Sequence, residues 1–298
     1  MNENTLMLER LQEHLQYQAS DFPLAIFYDH FDFFVNHAFE CHWHDEIELV
    51  LVLSGSVDYL VNQTRYQLES GAGLFIGPRA LHSARQLTGG TVVFNIIFPN
   101  RILSNLFNSS TLYKQVSPKP LWTDRSCFLD PSDPSHAQIL HGLAEIEAST
   151  HAEANRELIQ AESIMHIWRY FSELFKNEPD VSFEPKFSVR ETRMRNMISY
   201  IHANYMYHIS ASSIAASANI SRSECFRCFS LFGEGSPIDY LNKYRLHIAV
   251  KNLLETDLSI SDISHACGFS STSYFSKTFK DTYGVSPLSY RKKGSGPV

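Results

Sequence analysis

Three polar residues in the first part of the chain have the types and the spacing for joint chemistry. The string HWHDEIEL places His42, His44 and Glu48 two and four residues apart. Side chains alternate across a β-strand, so residues separated by even numbers on one strand face the same side. Converging imidazoles and a carboxylate can hold a divalent transition metal, or they can hydrogen-bond a polar small molecule. The spacing therefore predicts a binding site for one of these two classes of ligand.

Short segments of alternating hydrophobicity surround these residues and predict the elements that carry them. They cover residues 48–53, 57–62, 64–68, 73–76 and 91–98, and glycine-containing turns separate them. Short strands joined by such turns favour a β-sandwich or a β-barrel. The later string GLFIGPRALH adds His82 as a fourth polar residue for the interior. The further candidates for a pocket are Trp43, Tyr59, Arg79 and Arg85.

The last quarter of the chain contains two helix-turn-helix patterns, at residues 209–232 and 258–292. In the second pattern, Ile263 and Ala266 lie at helical spacing after a serine that can cap the helix, either Ser259 or Ser261. Gly268 follows where a chain leaving a helix commonly needs a left-handed residue. These signals predict a short packing helix and a tight turn.

The helix after this turn presents a polar face that can enter a DNA groove. Ser270 or Ser271 is predicted to cap its start. Tyr274, Phe275 and Phe279 are predicted to point inward. The predicted outward residues are Thr272, Ser273, Ser276, Lys277 and Lys280.

The first unit has the same layout. Asn219 takes the turn position, and Ser221 caps a helix whose apolar side includes Cys225 and Phe229. Between the units, Pro237 can start an amphipathic helix, which would fix the spacing of the two recognition helices. The predicted outward residues of the first recognition helix are Arg222, Ser223, Glu224 and Arg227.

Residues 190–292 resemble the DNA-binding domain of the AraC/XylS family of bacterial transcription regulators. The resemblance rests on YLNKYRLHIAVKNLLETDLSISDIS in the connecting helix and on GFSSTSYFSKTFKDTYGVSPLSYR near the end. It implies that each recognition helix lies in the major groove, one helical turn of DNA from the other. By position, it assigns DNA contacts to Ser223, Arg227, Thr272, Ser273 and Lys277.

The first unit departs from the family pattern at two places. Ser230 and Leu231 stand where family members often have two lysines, and Glu234 stands where a glycine is usual. We therefore expect the first unit to bind DNA more weakly than the second, or with a different preference.

The N-terminal part resembles the cupin sensor domains found in such regulators. The resemblance rests on two motifs, the second in a shortened form: His42, His44, Glu48 and Gly55, then Gly73, Pro78 and His82. It implies a small-molecule effector. The string HWHDEIELVLVLSGSVDYLVN is most similar to regulators of sugar utilisation, of the melibiose type. The expected effector-binding residues are His42, Trp43, His44, Glu48, Tyr59, Arg79 and His82. We expect no cofactor; a divalent metal on His42, His44, Glu48 and His82 is the alternative.

Charge is divided unevenly along the chain. Residues 186–298 carry 14 basic and 8 acidic side chains, a net of +6, whereas the remainder carries 11 and 24, a net of −13. Affinity for the phosphate backbone depends on local positive charge and counterion release rather than on the overall charge of −7. The basic part is the part that contains the recognition helices.

The predicted fold class is α+β, in three parts. Residues 1–130 are expected to form a cupin-like β-barrel (jelly roll), 131–185 a helical connector and linker, and 186–293 an all-α tandem helix-turn-helix domain. The connector has helical runs at 136–149 and 155–175, and 178–185 is predicted to be the linker proper. Its apolar stripes are Ile139, Leu143, Ile146, Leu158, Ile159, Ile164, Ile167, Trp168, Phe171 and Leu174. These stripes either form a dimer interface, as is common in the family, or pack onto the barrel.

The cysteines indicate a reducing compartment. Five are scattered along the chain, which has no signal peptide and no apolar run long enough to span a membrane. A cytoplasmic protein without a membrane partner is predicted. Cys225 and Cys228 form a C-x2-C string, but no second pair accompanies them and both occupy apolar helix positions. We interpret them as core residues rather than as a zinc or redox site.

These patterns together predict a transcription regulator, more specifically an activator, and not an enzyme. Its expected partners are double-stranded DNA, RNA polymerase, a small effector of the sugar class and a second copy of the chain. The alternative is a metal-dependent cupin enzyme, an isomerase or dioxygenase, with a helical accessory domain. Metal content and chelator sensitivity, set against salt-dependent DNA binding, separate the two hypotheses.

Overall fold

The computed structural model of the chain describes residues 22–106, 125–152, 154–174 and 188–294. The chain divides into two compact units. We call residues 22–33 and 43–174 the sheet unit, and residues 34–42 and 188–294 the helical unit. No helix within the described ranges has the length and hydropathy of a membrane span. The linker predicted at 178–185 lies outside the described residues.

Antiparallel strands form the two sheets of the structure. In chain order the strands are β1 (Ala25–His30), β2 (Ala38–His42), β3 (Ile47–Ser54), β4 (Ser56–Val61), β5 (Thr64–Glu69), β6 (Gly73–Ile76), β7 (His82–Gln86), β8 (Val92–Phe98) and β9 (Ser126–Leu129). β2 groups with the helical unit. One sheet has the order β1-β8-β3-β6-β9, and β7, β4 and β5 are neighbours in a second sheet. The two sheets give the layered core expected of a sandwich or barrel.

The five predicted strand segments are confirmed as β3, β4, β5, β6 and β8. The prediction that His42, His44 and Glu48 share one continuous strand is wrong. β2 ends at His42 and β3 begins at Ile47, so a non-strand segment separates them. The polar run from His44 to Glu46 includes an aspartate, a residue type that is depleted in strands.

The connector helices pack onto the five-stranded sheet. α1 spans Arg101–Leu106, α2 Pro134–Ser149 and α3 Arg156–Leu174. One buried cluster joins residues of α2 and α3 to apolar residues of β3, β6 and β8. Its central side chain is Trp168, fully buried, with its ring 6.3 Å from that of Phe98 and 5.7 Å from that of Phe171.

The connector stripes pack against the sheet, which is one of the two roles predicted for them. Ile139, Leu143 and Ile146 are buried, as are Ile164, Ile167, Trp168 and Phe171. Leu158 was expected in the stripe, but it is 67% exposed. It lies two residues before Gln160, the first buried residue of α3, and two residues turn a helix by about 200°, so Leu158 faces away from the buried side.

Helices form nearly all of the other unit. In order they are α4 (Val189–Asn204), α5 (Ala211–Ser217), α6 (Arg222–Leu231), α7 (Pro237–Glu255), α8 (Ile260–Ala266), α9 (Thr272–Tyr283) and α10 (Pro287–Gly294). The tandem helix-turn-helix arrangement is therefore α5–α6 and α8–α9, with α7 between them. A sheet-rich N-terminal part and a helical C-terminal part confirm the predicted α+β class.

Two left-handed residues make the turns of the helix-turn-helix units, as the sequence predicts. Asn219 has φ +54° between α5 and α6, and Gly268 has φ +77° between α8 and α9. Gly268 is also closely surrounded, because a Cβ added there would lie 2.3 Å from the carbonyl oxygen of Tyr205. Gly284, which ends α9 with φ +72°, has open space where its Cβ would be. A side chain at Gly268 would therefore meet both backbone strain and steric overlap, whereas one at Gly284 would meet backbone strain alone.

We expect Gly268→Ala to destabilise the helical unit by about 3 kcal/mol or more, since left-handed strain and overlap with a backbone carbonyl act together. Gly284→Ala is the matched control and should cost only about 1–2 kcal/mol, because strain acts alone. Urea denaturation followed by far-ultraviolet circular dichroism measures both. Equal losses in the two variants would contradict the close packing of Gly268.

Candidate nucleic-acid interface and effector site

The second recognition helix, α9, has one buried and one exposed face. The hydroxyl of Ser271 accepts a hydrogen bond from the Tyr274 N–H at 3.2 Å, so Ser271 is the cap. Phe275 and Phe279 are fully buried in a cluster with residues of α7 and α8. The side chains of Ser273, Lys277 and Lys280 are exposed. α9 therefore presents two ammonium groups and a hydroxyl to solvent.

Three other α9 residues differ from this outward group. Thr272 and Ser276 are half-buried, and the Thr272 hydroxyl lies 3.3 Å from that of Ser261. Tyr274 was predicted to point inward, but it is 45% exposed. Its hydroxyl accepts a hydrogen bond from Asn242 Nδ2 at 3.2 Å. The polar end of tyrosine explains the difference, because its ring can pack while its hydroxyl stays near water.

The first recognition helix, α6, is organised in the same way. The Ser221 hydroxyl caps it by accepting from the Glu224 N–H at 3.2 Å. Cys225 and Cys228 are buried, as interpreted from the sequence, and burial raises the pKa of the Cys225 thiol to about 11. Both thiols are free and contribute to the core. Arg222, Ser223 and Arg227 form the exposed side of the helix.

The carboxylate of Glu224 lies between two arginines on this surface. Its Oε2 is 3.6 Å from Arg227 Nε, and its Oε1 is 3.5 Å from Arg193 Nη1 on α4. Ion pairs of this kind at a solvent-exposed surface contribute little, so they leave Arg227 able to change partners. The Arg222 guanidinium lies 5.6 Å from the ring of Phe226, which restricts its direction.

A buried arginine that the sequence analysis missed positions the second unit. Arg245 on α7 donates from Nε to the Tyr205 carbonyl at 2.9 Å and from Nη2 to the Tyr207 carbonyl at 2.8 Å. Its guanidinium also lies 5.8 Å from the ring of Phe269, in the turn before α9. Burial lowers the pKa of this guanidinium. One side chain thus joins the end of α4, α7 and the turn that sets the direction of α9.

A second arginine binds backbone carbonyls at and just beyond the C-terminal end of α7. Arg291 on α10 donates from Nε to the Leu253 carbonyl at 3.1 Å and from Nη2 to the Leu258 carbonyl at 2.7 Å. Carbonyls near a helix C-terminus lack intrahelical partners, and a guanidinium satisfies them well. In the sequence, Arg245 and Arg291 could not be told from basic residues facing solvent, because their partners are distant backbone atoms.

In the sheet unit, two histidines meet one buried carboxylate. Glu48 is fully buried, and its Oε2 lies 3.2 Å from His44 Nε2 and 3.1 Å from His82 Nε2. The two imidazole rings are edge to face, with centroids 5.1 Å apart. β3 supplies Glu48 and β7 supplies His82, while His44 comes from the segment between β2 and β3. These three predicted residues are therefore brought together.

The orientation of both imidazoles directs their Nε2 atoms at this carboxylate. His44 Nδ1 lies 3.2 Å from the Glu46 carbonyl oxygen, and His82 Nδ1 lies 2.9 Å from that of Ala80. A carbonyl oxygen only accepts, so each Nδ1 carries the proton in these contacts. If Nε2 also carries a proton, it faces Glu48 as an N–H donor. If Nε2 carries no proton, its lone pair faces the carboxylate, and a cation between the two is then needed. The donor set fits a divalent transition metal and also fits a polar ligand.

Other predicted pocket residues lie at different depths. The Arg79 backbone N–H donates to the His44 carbonyl at 2.7 Å, and the Arg79 guanidinium lies 5.8 Å from the Trp43 ring. Trp43 and Arg79 therefore adjoin the segment that carries His44. Tyr59 is fully buried in β4. Arg85 is exposed on β7, where it faces away from the side that carries His82.

His42 ends β2 and belongs to the helical unit. It is buried, and its Nδ1 lies 3.0 Å from the Glu40 carbonyl oxygen. Its ring meets that of Phe39 edge-on at 5.5 Å. As in the other two histidines, a backbone carbonyl fixes Nδ1 and with it the direction of the ring.

Comparison with known families covers most of the chain. Residues 29–165 match the family described as AraC-like ligand binding domain. Residues 214–293 match the family described as helix-turn-helix domain. The first match includes the sheet-unit cluster, and the second includes both recognition helices.

Similar proteins are regulators by name. The chain is 27% identical over 295 residues to the uncharacterized HTH-type transcriptional regulator YdeC of Bacillus subtilis, covering 98% of this chain and 99% of that protein. It is 25% identical to the HTH-type transcriptional activator RhaS of Pectobacterium carotovorum subsp. carotovorum, covering 85% and 88%.

Among solved structures, ToxT from Vibrio cholerae is similar with a TM-score of 0.45 at 14% identity, covering 94% of this chain and 100% of that one. An AraC-type DNA-binding domain protein from Chromobacterium violaceum has a TM-score of 0.34 at 30% identity, covering 36% and 96%.

We expect Arg245→Met to lower the free energy of unfolding by about 2 kcal/mol or more, because it removes two charge-assisted hydrogen bonds to buried carbonyls while keeping an apolar stem. Arg222→Met, on the exposed side of α6, is the matched control and should change it by less than about 0.5 kcal/mol. Urea denaturation of the DNA-free protein compares them. A loss no larger than that of the control would mean that Arg245 does not hold the unit together.

Proposed function

Because this chain belongs to the AraC family of transcription regulators, we propose that it is an activator whose two recognition helices occupy adjacent major-groove segments under the control of an effector. The observation that carries the proposal is the pair of capped helices, each with a buried apolar face and an exposed face of basic and hydroxyl side chains. We propose that residues 1–130 form the effector-sensing domain, that 131–185 form the connector and linker, and that 186–293 form the DNA-binding domain.

Base contacts are proposed for Arg227 and Lys277. Both side chains are exposed, and long basic side chains can reach the acceptor atoms of guanine in the major groove. The exposed Arg222, Ser223, Ser273 and Lys280 are placed to contact phosphates or neighbouring bases. Thr272 and Ser276 are partly covered, so we assign them contacts near the edge of the interface.

The effector is proposed to be a small polar molecule of the sugar class. Glu48 offers an acceptor and the imidazoles of His44 and His82 offer groups of either kind, which suits a ligand with several hydroxyls. Trp43, with Arg79 beside it, can cover an apolar ring face. In line with its regulator relatives, we assign this cluster to binding rather than to catalysis. We further propose that the protein is a cytoplasmic homodimer and that it recruits RNA polymerase.

A metal-dependent form of the same sensor is the second candidate. It is favoured by the two Nδ1 atoms held by carbonyls, which direct both Nε2 atoms toward one carboxylate oxygen. His44, Glu48 and His82 would hold a divalent transition metal, which would supply a Lewis-acidic site for effector oxygens. The protein's part would be to fix the ligand directions through the backbone carbonyls.

Arg227→Ala and Lys277→Ala are expected to weaken specific DNA binding by about 1–3 kcal/mol each and to relax the preferred sequence. Arg169→Ala, which removes an exposed positive charge from α3, is the matched control and should leave binding unchanged. Recovery of bound genomic fragments, followed by affinity measurement at several salt concentrations, tests the proposal. Unaltered affinity and preference in both variants would contradict the assignment of base contacts.

If the metal-dependent form is correct, the full-length protein should bind about one equivalent of zinc or manganese, and His82→Ala should weaken this at least about tenfold. His141→Ala, an exposed histidine on α2, is the control for adventitious binding among the 14 histidines. Elemental analysis and metal titration by calorimetry give the stoichiometry. Identical binding by the two variants would exclude the cluster as the metal site.

A further inference from the structure

The short segment at residues 34–42 packs within the helical unit, although the rest of that unit begins at residue 188. Its strand, β2, is held there by side chains that bind its backbone. The Cys41 N–H donates to the Glu234 carboxylate, and the Tyr240 hydroxyl donates to the Cys41 carbonyl at 3.0 Å. Both main-chain polar groups of a buried strand residue are thus satisfied by side chains distant in the sequence.

Ionisable groups continue this contact at Glu40, the residue before Cys41 in the strand. Glu40 Oε1 lies 3.7 Å from Lys243 Nζ, and Glu40 Oε2 lies 3.7 Å from His247 Nδ1. The same ammonium lies 3.5 Å from Glu234 Oε2. Lys243 therefore serves two buried carboxylates, one from β2 and one from the loop before α7. We call Glu40, Glu234, Tyr240, Lys243 and His247 the clasp.

The clasp groups are removed from water. Glu40, Glu234 and His247 are each buried, with only Lys243 partly exposed. Burial raises the pKa of the Glu234 carboxyl to about 7 and lowers that of the His247 imidazole to about 4. Buried charges are costly unless they are paired and hydrogen-bonded. Lys243 is the cationic partner of both carboxylates, and the Cys41 N–H of β2 adds a hydrogen bond to Glu234.

Glu234 does not cap α7, although it lies just before that helix. The start of α7 is capped by Ser236 and Asp239, whose side chains each accept the other's backbone N–H at 3.1 Å. Glu234 lies ahead of this cap, in the connection between α6 and α7. The family pattern to which this part of the sequence is similar implies a glycine at this position, and glycine has no side chain to bind a strand. Its carboxylate is directed at β2 and Lys243 instead.

We propose that the helical unit has a docking surface for an extended strand, formed by Glu234, Tyr240 and Lys243, and that β2 bound there transmits the state of the effector cluster to the recognition helices. The transmission step rests on the proposed function. Two connections support it. β2 ends at His42, two residues before His44 of the cluster, and the 3-10 helix Val35–His37 just before β2 contacts α9.

The docking surface is tested by hydrogen exchange and mass spectrometry on the full-length protein without DNA or effector. Glu234→Ala and Tyr240→Phe should each speed exchange of peptides covering residues 38–42 by about tenfold, because each removes a bond to the strand backbone. Tyr240→Phe keeps the ring that packs on Phe229, and unchanged exchange in α9 shows that the unit stays folded. Glu255→Gln, an exposed carboxylate at the far end of α7, is the matched control.

The transmission step is tested by the affinity of the same variants for a genomic fragment that the wild-type protein retains. We expect an affinity change of at least about threefold in both clasp variants and none in Glu255→Gln. Unchanged exchange at 38–42 in both variants would overturn the docking surface. Faster exchange with unchanged DNA affinity would overturn transmission. A wild-type protein that retains no DNA would instead refute the proposed function, while the exchange result still decides the docking surface.

Discussion

The packing of α7 against both helix-turn-helix units is the constraint on which DNA recognition depends. Near its start, Tyr240 packs its ring 5.6 Å from Phe229 of the first recognition helix. Near its end, Leu246, Val250 and Leu253 share a core with Phe275 and Phe279 of the second. A helix of 19 residues spans about 28 Å, comparable with the roughly 34 Å of one turn of DNA. The distance between the two recognition helices is thus set by a rigid element, and small changes at its ends change both.

Several polar contacts between distant parts of the described chain join a side chain to backbone atoms. Arg245 binds two carbonyls, Arg291 binds two more, and the Cys41 N–H binds Glu234. In the sheet unit, carbonyls likewise direct the imidazoles of His44 and His82. A side chain bound to backbone reports any shift of that backbone, because loss of the bond leaves a buried group unsatisfied. Such bonds make the positions of the recognition helices and of the His44, Glu48 and His82 side chains depend on a few segments of main chain.

Local chemistry explains why much of the helical unit could be predicted from the sequence. Ser221 and Ser271 cap helices through contacts three residues away, and Asn219 and Gly268 fix turns by their own φ angles. Each signal is complete within a few residues. The convergence of His44, Glu48 and His82 was also predicted, but from motif spacing, and the continuous strand used to explain it does not exist.

The contacts that the sequence did not reveal join residues far apart in the chain. Glu234 departs from the family pattern, yet this departure does not identify its partners Cys41 and Lys243. Arg245 occupies a position on an amphipathic helix where a basic residue ordinarily faces solvent. Pairing of this kind depends on tertiary structure, which periodicity and composition do not specify.

The two helix-turn-helix units differ in how strongly we expect each to bind DNA by itself. In the second, Lys277 and Lys280 are exposed. In the first, Arg227 lies near the acidic Glu224, which lowers the positive potential that phosphates would meet. The clasp is also attached at the connection between α6 and α7, beside this weaker unit. A given coupling energy changes the bound fraction most where the bound and unbound states are closest in free energy, which is the weaker of the two units. We therefore expect the second unit to anchor the protein on DNA and the first to respond to the sensor.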